Sequence, residues 1–87
     1  MAHFVYILRC RDGSLYTGYA IDPEARTDAH NAGRGAKFTR GRLPVRLVYT
    51  EPCSSLGDAL RREHELKRLP RYKKVALIST RRTSYPA

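Results

Sequence analysis

The sequence predicts an α+β domain in which a three-stranded antiparallel sheet is flanked by helices. Three runs rich in β-branched and aromatic residues indicate strands, at residues 4–10, 15–20 and 45–51. Helix-start signals precede stretches with helical spacing of apolar residues. A chain of 87 residues has room for one domain with a small core. We therefore expect a single domain over residues 1–78 and a disordered basic tail over residues 79–87.

The first two strands should form a hairpin, and the length of its turn decides which side chains meet. Asp12-Gly13 is a turn signal between them. In a two-residue loop, Tyr6 and Tyr16 would point to opposite faces of the sheet. In a three-residue loop with Gly13 in the left-handed conformation, Leu8 would pair with Tyr16 and the two tyrosines would share a face. The residues alone leave both registers open.

The first helix should begin after Asp22, which can cap free N–H groups, with Pro23 in the first helical position. Gly33 should end it. A stripe of small residues at helical spacing would let this helix lie close to the sheet: Ala25, Ala29 and Ala32. Arg26 and His30 lie one turn apart and share an adjacent face.

The segment over residues 33–43 contains three glycines and four bases, which predicts a mobile basic loop. Phe38 within it could stack on a nucleic-acid base or anchor the loop to the core, and we favour anchoring.

The third strand should end at Pro52, which has no N–H to give to a sheet. A last short helix over residues 71–78 should turn two residues toward the core: Val75 and Ile78.

A longer helix should follow Ser55, which opens a capping box with Asp58 in place of the usual Glu, and run to about residue 69. On a helical wheel its apolar stripe has four members: Leu56, Ala59, Leu60 and Leu66. Glu63 falls within that stripe, whereas Glu65 lies on the opposite side. A carboxylate facing a core is costly unless it is paired. Glu63 is therefore either an ion-pair partner of Lys67 or a nearby arginine, or a metal ligand at the floor of a cleft.

The charge of the chain points to a polyanionic partner. Seventeen Lys and Arg against eight Asp and Glu give a net charge of +9. Residues 29–50 hold five bases and no acid, and residues 66–87 hold seven bases and no acid. Because these bases occupy several segments instead of one amphipathic helix, they favour nucleic acid over an anionic membrane.

The compartment expected from the sequence is the cytoplasm. The chain has no apolar run near the ~20 residues that a membrane span needs. Its N-terminus shows no secretory signal. Cys10 and Cys53 stand apart and outside any CxxC spacing, so we expect reduced thiols.

Two tyrosine motifs resemble the signature of the GIY-YIG nuclease superfamily. Val5-Tyr6-Ile7 precedes Tyr16-Thr17-Gly18 by ten residues, with Val in place of Gly and Thr in place of Ile. The similarity continues through residues 22–31, 39–49 and 59–74, and covers roughly residues 4–78. The chain most resembles the small stand-alone bacterial branch, the YhbQ-like proteins.

The resemblance implies a metal-dependent endonuclease that hydrolyses DNA phosphodiester bonds, by structure-guided or single-strand cleavage in DNA repair or processing. It favours the register in which Tyr6 and Tyr16 share a face, with one of them as general base. His30, or a nearby base, would assist. Arg26 would hold the scissile phosphate, and Glu63 would bind a single Mg²⁺ or Mn²⁺ ion.

The basic segments would supply the remaining contacts to nucleic acid: Arg34, Lys37, Thr39, Arg40, Arg42, Lys67, Arg71 and Lys74. No recognition helix or zinc finger is visible, so a protein partner could supply specificity. Val75 stands where family members outside this branch often carry an Asn, which puts a catalytic role there in doubt. The alternative function is a non-catalytic DNA- or RNA-binding module on the same fold. The presence of all five catalytic-type residues argues against it, because binding alone requires none of them in particular.

Overall fold

The computed structural model describes residues 2–81 and has the predicted α+β architecture. Its elements in chain order are β1 (His3–Arg9), β2 (Leu15–Ala20), α1 (Pro23–Asn31), α2 (Lys37–Arg40), β3 (Arg46–Cys53), α3 (Leu56–Lys67) and α4 (Arg71–Arg81). The sheet is antiparallel with the order β2-β1-β3, so β1 is central and the other two strands are edges. Within the described residues, none of the helices has the length and apolar character that a membrane crossing requires.

The β1–β2 hairpin turns through the three residues 11–13, in the register that the resemblance favoured. Gly13 has a φ of +87°, in the left-handed region. Leu8 lies opposite Tyr16, and Tyr6 lies opposite Gly18. Since side chains alternate along a strand, Tyr6 and Tyr16 share one face of the sheet.

The sheet has a buried cluster on each face. The first consists of Tyr6, Leu8, Cys10, Ala20 and Val45. The second consists of Val5, Ile7, Tyr49 and Leu66, with α4 residues packed against it. The helices α1 and α2 cover the first face, and α3 and α4 cover the second. The two cysteines are free, as expected.

The orientation of α1 corrects the expectation of an alanine stripe against the sheet. Ala25 and Ala32 are exposed, whereas Pro23, Thr27 and His30 are buried. The helix is turned so that His30 reaches the β-sheet. Its end is fixed by Asn31, whose side-chain amide exchanges two hydrogen bonds with the Val45 backbone, at 2.7 and 3.0 Å.

The strand β3 does not end at Pro52, as predicted, but continues to Cys53. Pro52 pairs with Phe4 of β1. Because β3 is an edge strand, its proline is tolerated when the missing N–H points away from the ladder.

The segment 33–43 is not one loop, because α2 forms inside it.

Neither of the last two helices buries its predicted apolar residues in full. Leu56 and Leu60 of α3 are each 47% exposed, and Val75 of α4 is 39% exposed. Ala59 and Leu66 are fully buried, and Ile78 packs on the second cluster. The helix α4 also includes residues 79–81, which we expected in the tail, and residues 82–87 lie outside the described part of the chain.

The hairpin geometry predicts that Gly13→Val destabilises the fold by about 1–2 kcal/mol, because a side chain is strained at positive φ. Nothing lies within 4 Å of a Cβ at this position, so the effect is one of backbone conformation alone. The matched control is Gly41→Val, at a φ of −88° and also in open space. The measurement is chemical denaturation of both variants, and equal losses of stability would contradict the three-residue turn.

Candidate active site

A cavity of about 360 Å³ gathers the five residues that the sequence assigned to catalysis: Tyr6, Tyr16, Arg26, His30 and Glu63. It lies at the β2 edge of the sheet, where α1 approaches from one face and α3 from the other. The strands supply the tyrosines, α1 supplies Arg26 and His30, and α3 supplies Glu63. The other lining residues are Gly18, Tyr19, Arg34, Gly35, Ala36 and Leu60.

The centre of the site is a buried hydrogen bond between Tyr6 and His30. Tyr6 Oη lies 3.0 Å from His30 Nε2, and each residue is only 2% exposed. Burial, and to a lesser extent the neighbouring Tyr16, raises the pKa of Tyr6 above its ordinary value, although Arg26 lowers it. Burial, and then Arg26, lowers the pKa of His30. A neutral imidazole therefore faces a neutral phenol at neutral pH.

The second ring nitrogen of His30 is bonded to Thr39. His30 Nδ1 lies 2.8 Å from Thr39 Oγ1, and that hydroxyl donates to the Ala36 carbonyl oxygen at 2.9 Å. Thr39 is fully buried. Its hydroxyl is thus unavailable to a nucleic-acid phosphate, which corrects the role expected from the sequence.

Two glycines make room for the Tyr6–His30 pair. A Cβ on Gly18 would lie 2.6 Å from Tyr6 Oη. A Cβ on Gly35 would lie 2.1 Å from His30 Nδ1. Both distances are shorter than a van der Waals contact, so any other residue at either position displaces the hydrogen-bonded side chain. This lack of space explains why the second tyrosine motif ends in a glycine, Gly18.

Tyr16 is held by ring contacts on several sides. Its ring centroid lies 6.4 Å from that of Tyr6 and 5.2 Å from that of His30. The Phe38 ring stacks on it at 6.1 Å with an interplanar angle of 25°. Phe38 is 41% exposed and carries the Arg42 guanidinium 4.0 Å from its centroid, so it braces Tyr16 and does not anchor the loop in the core.

The two glutamates of α3 differ in the way the helical wheel predicted. The Glu63 side chain is 19% exposed and lies 3.2 Å from Lys67 Nζ. The Glu65 side chain is 63% exposed and lies 3.1 Å from Arg62. Only the first of these carboxylates lines the cavity.

A divalent cation at this site would depend on Glu63 alone among acidic side chains. In residues 2–81 no group of three or more His, Cys, Asp or Glu side chains is placed to hold a metal. One partly exposed carboxylate in an open cavity fits a hard cation such as Mg²⁺, which keeps most of its water. The donor set is thus compatible with the expected ion.

The seven basic residues predicted to contact nucleic acid divide into four groups. Arg34 lines the cavity, and Lys67 reaches it through Glu63. Lys37 and Arg40 are exposed on α2, which directly follows the cavity-lining Ala36 in the sequence. Arg42 is already engaged by Phe38 and by Asp12, whose carboxylate lies 3.2 Å away.

The other two predicted contacts lie apart from the catalytic-type residues. Arg71 and Lys74 line a separate pocket of about 150 Å³ with Ser14, Leu15 and Leu69. Burial, and then Lys67, lowers the pKa of Lys74. The structure therefore does not bring these two bases into the cavity.

Four lining residues were missed at the sequence level: Tyr19, Gly35, Ala36 and Leu60. Tyr19 directly follows the second tyrosine motif, which was an available signal, and its hydroxyl lies 2.9 Å from His3 Nδ1. Leu60 was assigned to the core stripe of α3 but faces the cavity. The places of Gly35 and Ala36 depend on how α2 folds back against His30, for which the sequence carries no local signal.

Comparison with known proteins agrees with the fold described above. The GIY-YIG catalytic domain family matches residues 2–75. A UPF0213 protein from Staphylococcus aureus is 55% identical over 80 residues, which cover 92% of this chain and 98% of that protein. The solution NMR structure of a UPF0213 protein from Bacillus halodurans is 52% identical with a TM-score of 0.59, covering 92% of this chain and 85% of the other.

A second solution NMR structure, of a protein from E. faecalis, is 36% identical with a TM-score of 0.63 and covers 100% of this chain and 93% of that one. These relatives are themselves small proteins that the chain spans almost completely. The family match and the structural match that covers the whole chain include the hairpin, α1 and α3, which build the cavity. The chain therefore belongs to the GIY-YIG nuclease superfamily, in the branch of small UPF0213 proteins.

Proposed function

We propose that this protein is a metal-dependent endonuclease that hydrolyses phosphodiester bonds in DNA, by structure-guided or single-strand cleavage in DNA repair or processing. The observation that carries the proposal is the convergence of Tyr6, Tyr16, Arg26, His30 and Glu63 in one cavity. Hydrolysis of a phosphodiester requires a base for water, positive charge at the phosphate and help for the leaving oxygen. These five side chains can supply those functions.

Tyr6 is favoured over Tyr16 as the general base because its hydroxyl lies 3.0 Å from His30 Nε2, a ring nitrogen that accepts a proton in one of the two neutral tautomers. A free tyrosine has a pKa near 10, so at neutral pH almost none of it is the phenolate that could act as a base. A relay avoids that difficulty. As a water O–H bond breaks, the proton forms an O–H bond with Tyr6, and the original phenol proton forms an N–H bond with His30 Nε2. The resulting hydroxide bonds to phosphorus, the bond from phosphorus to the 3′ oxygen breaks, and that oxygen takes a proton from solvent.

Arg26 would hold the scissile phosphate through paired N–H groups, since guanidinium matches phosphate geometry. It lies one helical turn before His30 and lines the same cavity. Glu63 would hold a Mg²⁺ or Mn²⁺ ion, whose positive charge would offset the negative charge that develops on the leaving oxygen. The products would carry 5′-phosphate and 3′-hydroxyl ends.

The second candidate is a non-catalytic DNA- or RNA-binding module. The specific observation in its favour is the Glu63–Lys67 ion pair, which gives Glu63 a structural role without a metal. The discriminating experiment is a cleavage panel of single-stranded, duplex, flap and branched DNA with matched RNA, each with Mg²⁺ and with Mn²⁺. Binding without cleavage of any substrate would favour this candidate.

We predict that Glu63→Gln lowers the cleavage rate by about 100-fold or more, because the amide keeps the shape but loses the charge that holds the cation. DNA affinity without metal should persist or increase, since one negative charge leaves a phosphate-binding cavity. Cleavage with Mn²⁺ and thermal melting of the variant measure both effects. The lost ion pair is partly exposed and should lower the melting temperature by no more than about 5 °C.

The matched control for that prediction is Glu65→Gln, on the same helix. It also removes one exposed ion pair, with Arg62, but its carboxylate lies outside the cavity. Its cleavage rate should stay close to that of the unmodified protein. Equal losses of activity in the two variants, or full activity in Glu63→Gln, would exclude Glu63 as the metal ligand.

We also predict that Arg34→Gln reduces the slope of log affinity against log salt concentration by about 0.9 for duplex DNA, because one phosphate contact and its released counterion are lost. Arg34 lines the cavity beside β2. Arg46→Gln is the matched control, because Arg46 is exposed on β3 at the opposite edge of the sheet. Affinity that does not depend on salt, or the same change of slope in both variants, would contradict a phosphate-binding face around the cavity.

A further inference from the structure

The proposed relay ends at a histidine whose second nitrogen is also buried and bonded. From Tyr6 the contacts run to His30, then to Thr39 and the Ala36 carbonyl, at 3.0, 2.8 and 2.9 Å. Tyr6, His30 and Thr39 are each at most 2% exposed. The relay therefore depends on which nitrogen of His30 carries its single proton in the neutral ring.

The single proton of the Thr39 hydroxyl decides which group donates in each of these hydrogen bonds. That hydroxyl donates to the Ala36 carbonyl oxygen at 2.9 Å. Having given its proton there, Thr39 Oγ1 can only accept from His30 Nδ1, 2.8 Å away. The proton of the neutral ring is then on Nδ1, and Nε2 presents a lone pair to the Tyr6 hydroxyl.

One contact opposes this arrangement. The Ala36 backbone N–H approaches His30 Nδ1 at 3.4 Å and would donate to it if that nitrogen carried no proton. This distance is at the outer limit of a hydrogen bond, whereas the Thr39 contact is near the optimum. The shorter contact is the stronger one, so Thr39 decides the competition at Nδ1.

We infer that Thr39 is a positioning residue that holds His30 in the tautomer with the proton on Nδ1, so that Nε2 can take the proton of Tyr6. The inference rests on the proposed function for its effect on rate, but not for the tautomer itself. When His30 receives the proton from Tyr6, the charged ring donates through both nitrogens, to Tyr6 Oη and to Thr39 Oγ1. The acceptor needed for the charged state is thus already in place before the reaction.

Loss of the Thr39 hydroxyl should reverse the direction of the hydrogen bond between His30 and Tyr6. In Thr39→Val the remaining polar neighbour of Nδ1 is the Ala36 N–H, which is a donor. The ring should then carry its proton on Nε2 and donate it to Tyr6 Oη. Tyr6 would lose its proton acceptor while the shape of the cavity stays the same, because Val and Thr have similar volumes.

The test combines NMR of the histidine rings with single-turnover cleavage. Long-range ¹H–¹⁵N correlation spectra show which ring nitrogen is protonated, and the His30→Gln variant assigns the His30 signals among the three histidines. The variants are Thr39→Val and Thr39→Ser. The matched control is Thr27→Val, since Thr27 is also buried and its hydroxyl also donates to a backbone carbonyl, that of Pro23, at 2.8 Å.

We expect a proton on His30 Nδ1 in the unmodified protein, in Thr39→Ser and in Thr27→Val, and on Nε2 in Thr39→Val. The cleavage rate of Thr39→Val should fall by about 10- to 100-fold, the usual cost of removing the partner that orients a functional histidine, with DNA affinity unchanged. The serine variant should restore the rate, which a merely structural role of the threonine methyl would not allow.

A proton on Nε2 in the unmodified protein would overturn the inference, even if Thr39→Val failed to fold. An unchanged spectrum in a folded Thr39→Val protein would overturn it as well. If no substrate is cleaved by any of these proteins, the proposed nuclease activity fails, and the spectra still decide the tautomer.

Discussion

The hydrogen bond between Tyr6 and His30 is the interaction on which the rest of the site depends. It joins the central strand β1 to α1 across 24 positions of sequence, and its Tyr6 belongs to the first core cluster. A buried polar pair of this kind is stable only when both members are satisfied. That requirement explains why positions 18 and 35 are glycines, since a side chain at either would displace a member of the pair. It also explains why Thr39 is buried against the His30 ring.

Around this uncharged pair the site places its charges at the rim of the cavity. Arg26 and Arg34 are exposed, and Glu63 is partly exposed and paired with Lys67. This division suits hydrolysis of an anionic backbone. Exposed guanidinium groups can bind a phosphate without a large cost of desolvation. A neutral phenol and a neutral imidazole can be buried before the reaction without desolvating a charge.

The sequence predicted the fold and much of the site because those features are local or periodic. Gly13 marked the position of the hairpin turn, but the residues alone left the register of Tyr6 and Tyr16 open, and the family resemblance favoured the observed one. Helical periodicity alone separated Glu63 from Glu65. The burial of His30 and Thr39 was not predictable, because it depends on how α2 folds back on α1 and on partners distant in the chain. Leu60 was misassigned for a similar reason, since the wheel shows a face but not whether that face meets a core or a cavity.

The measurement that tests this account most directly is single-turnover cleavage by Tyr6→Phe, which removes one buried hydroxyl and leaves the ring in place. DNA affinity should be retained, and the melting temperature should show that the variant is folded. We predict that the cleavage rate falls by about 100- to 10,000-fold, the contribution expected of a general base. Cleavage by folded Tyr6→Phe at the rate of the unmodified protein would contradict the central claim that Tyr6 and His30 activate the attacking water.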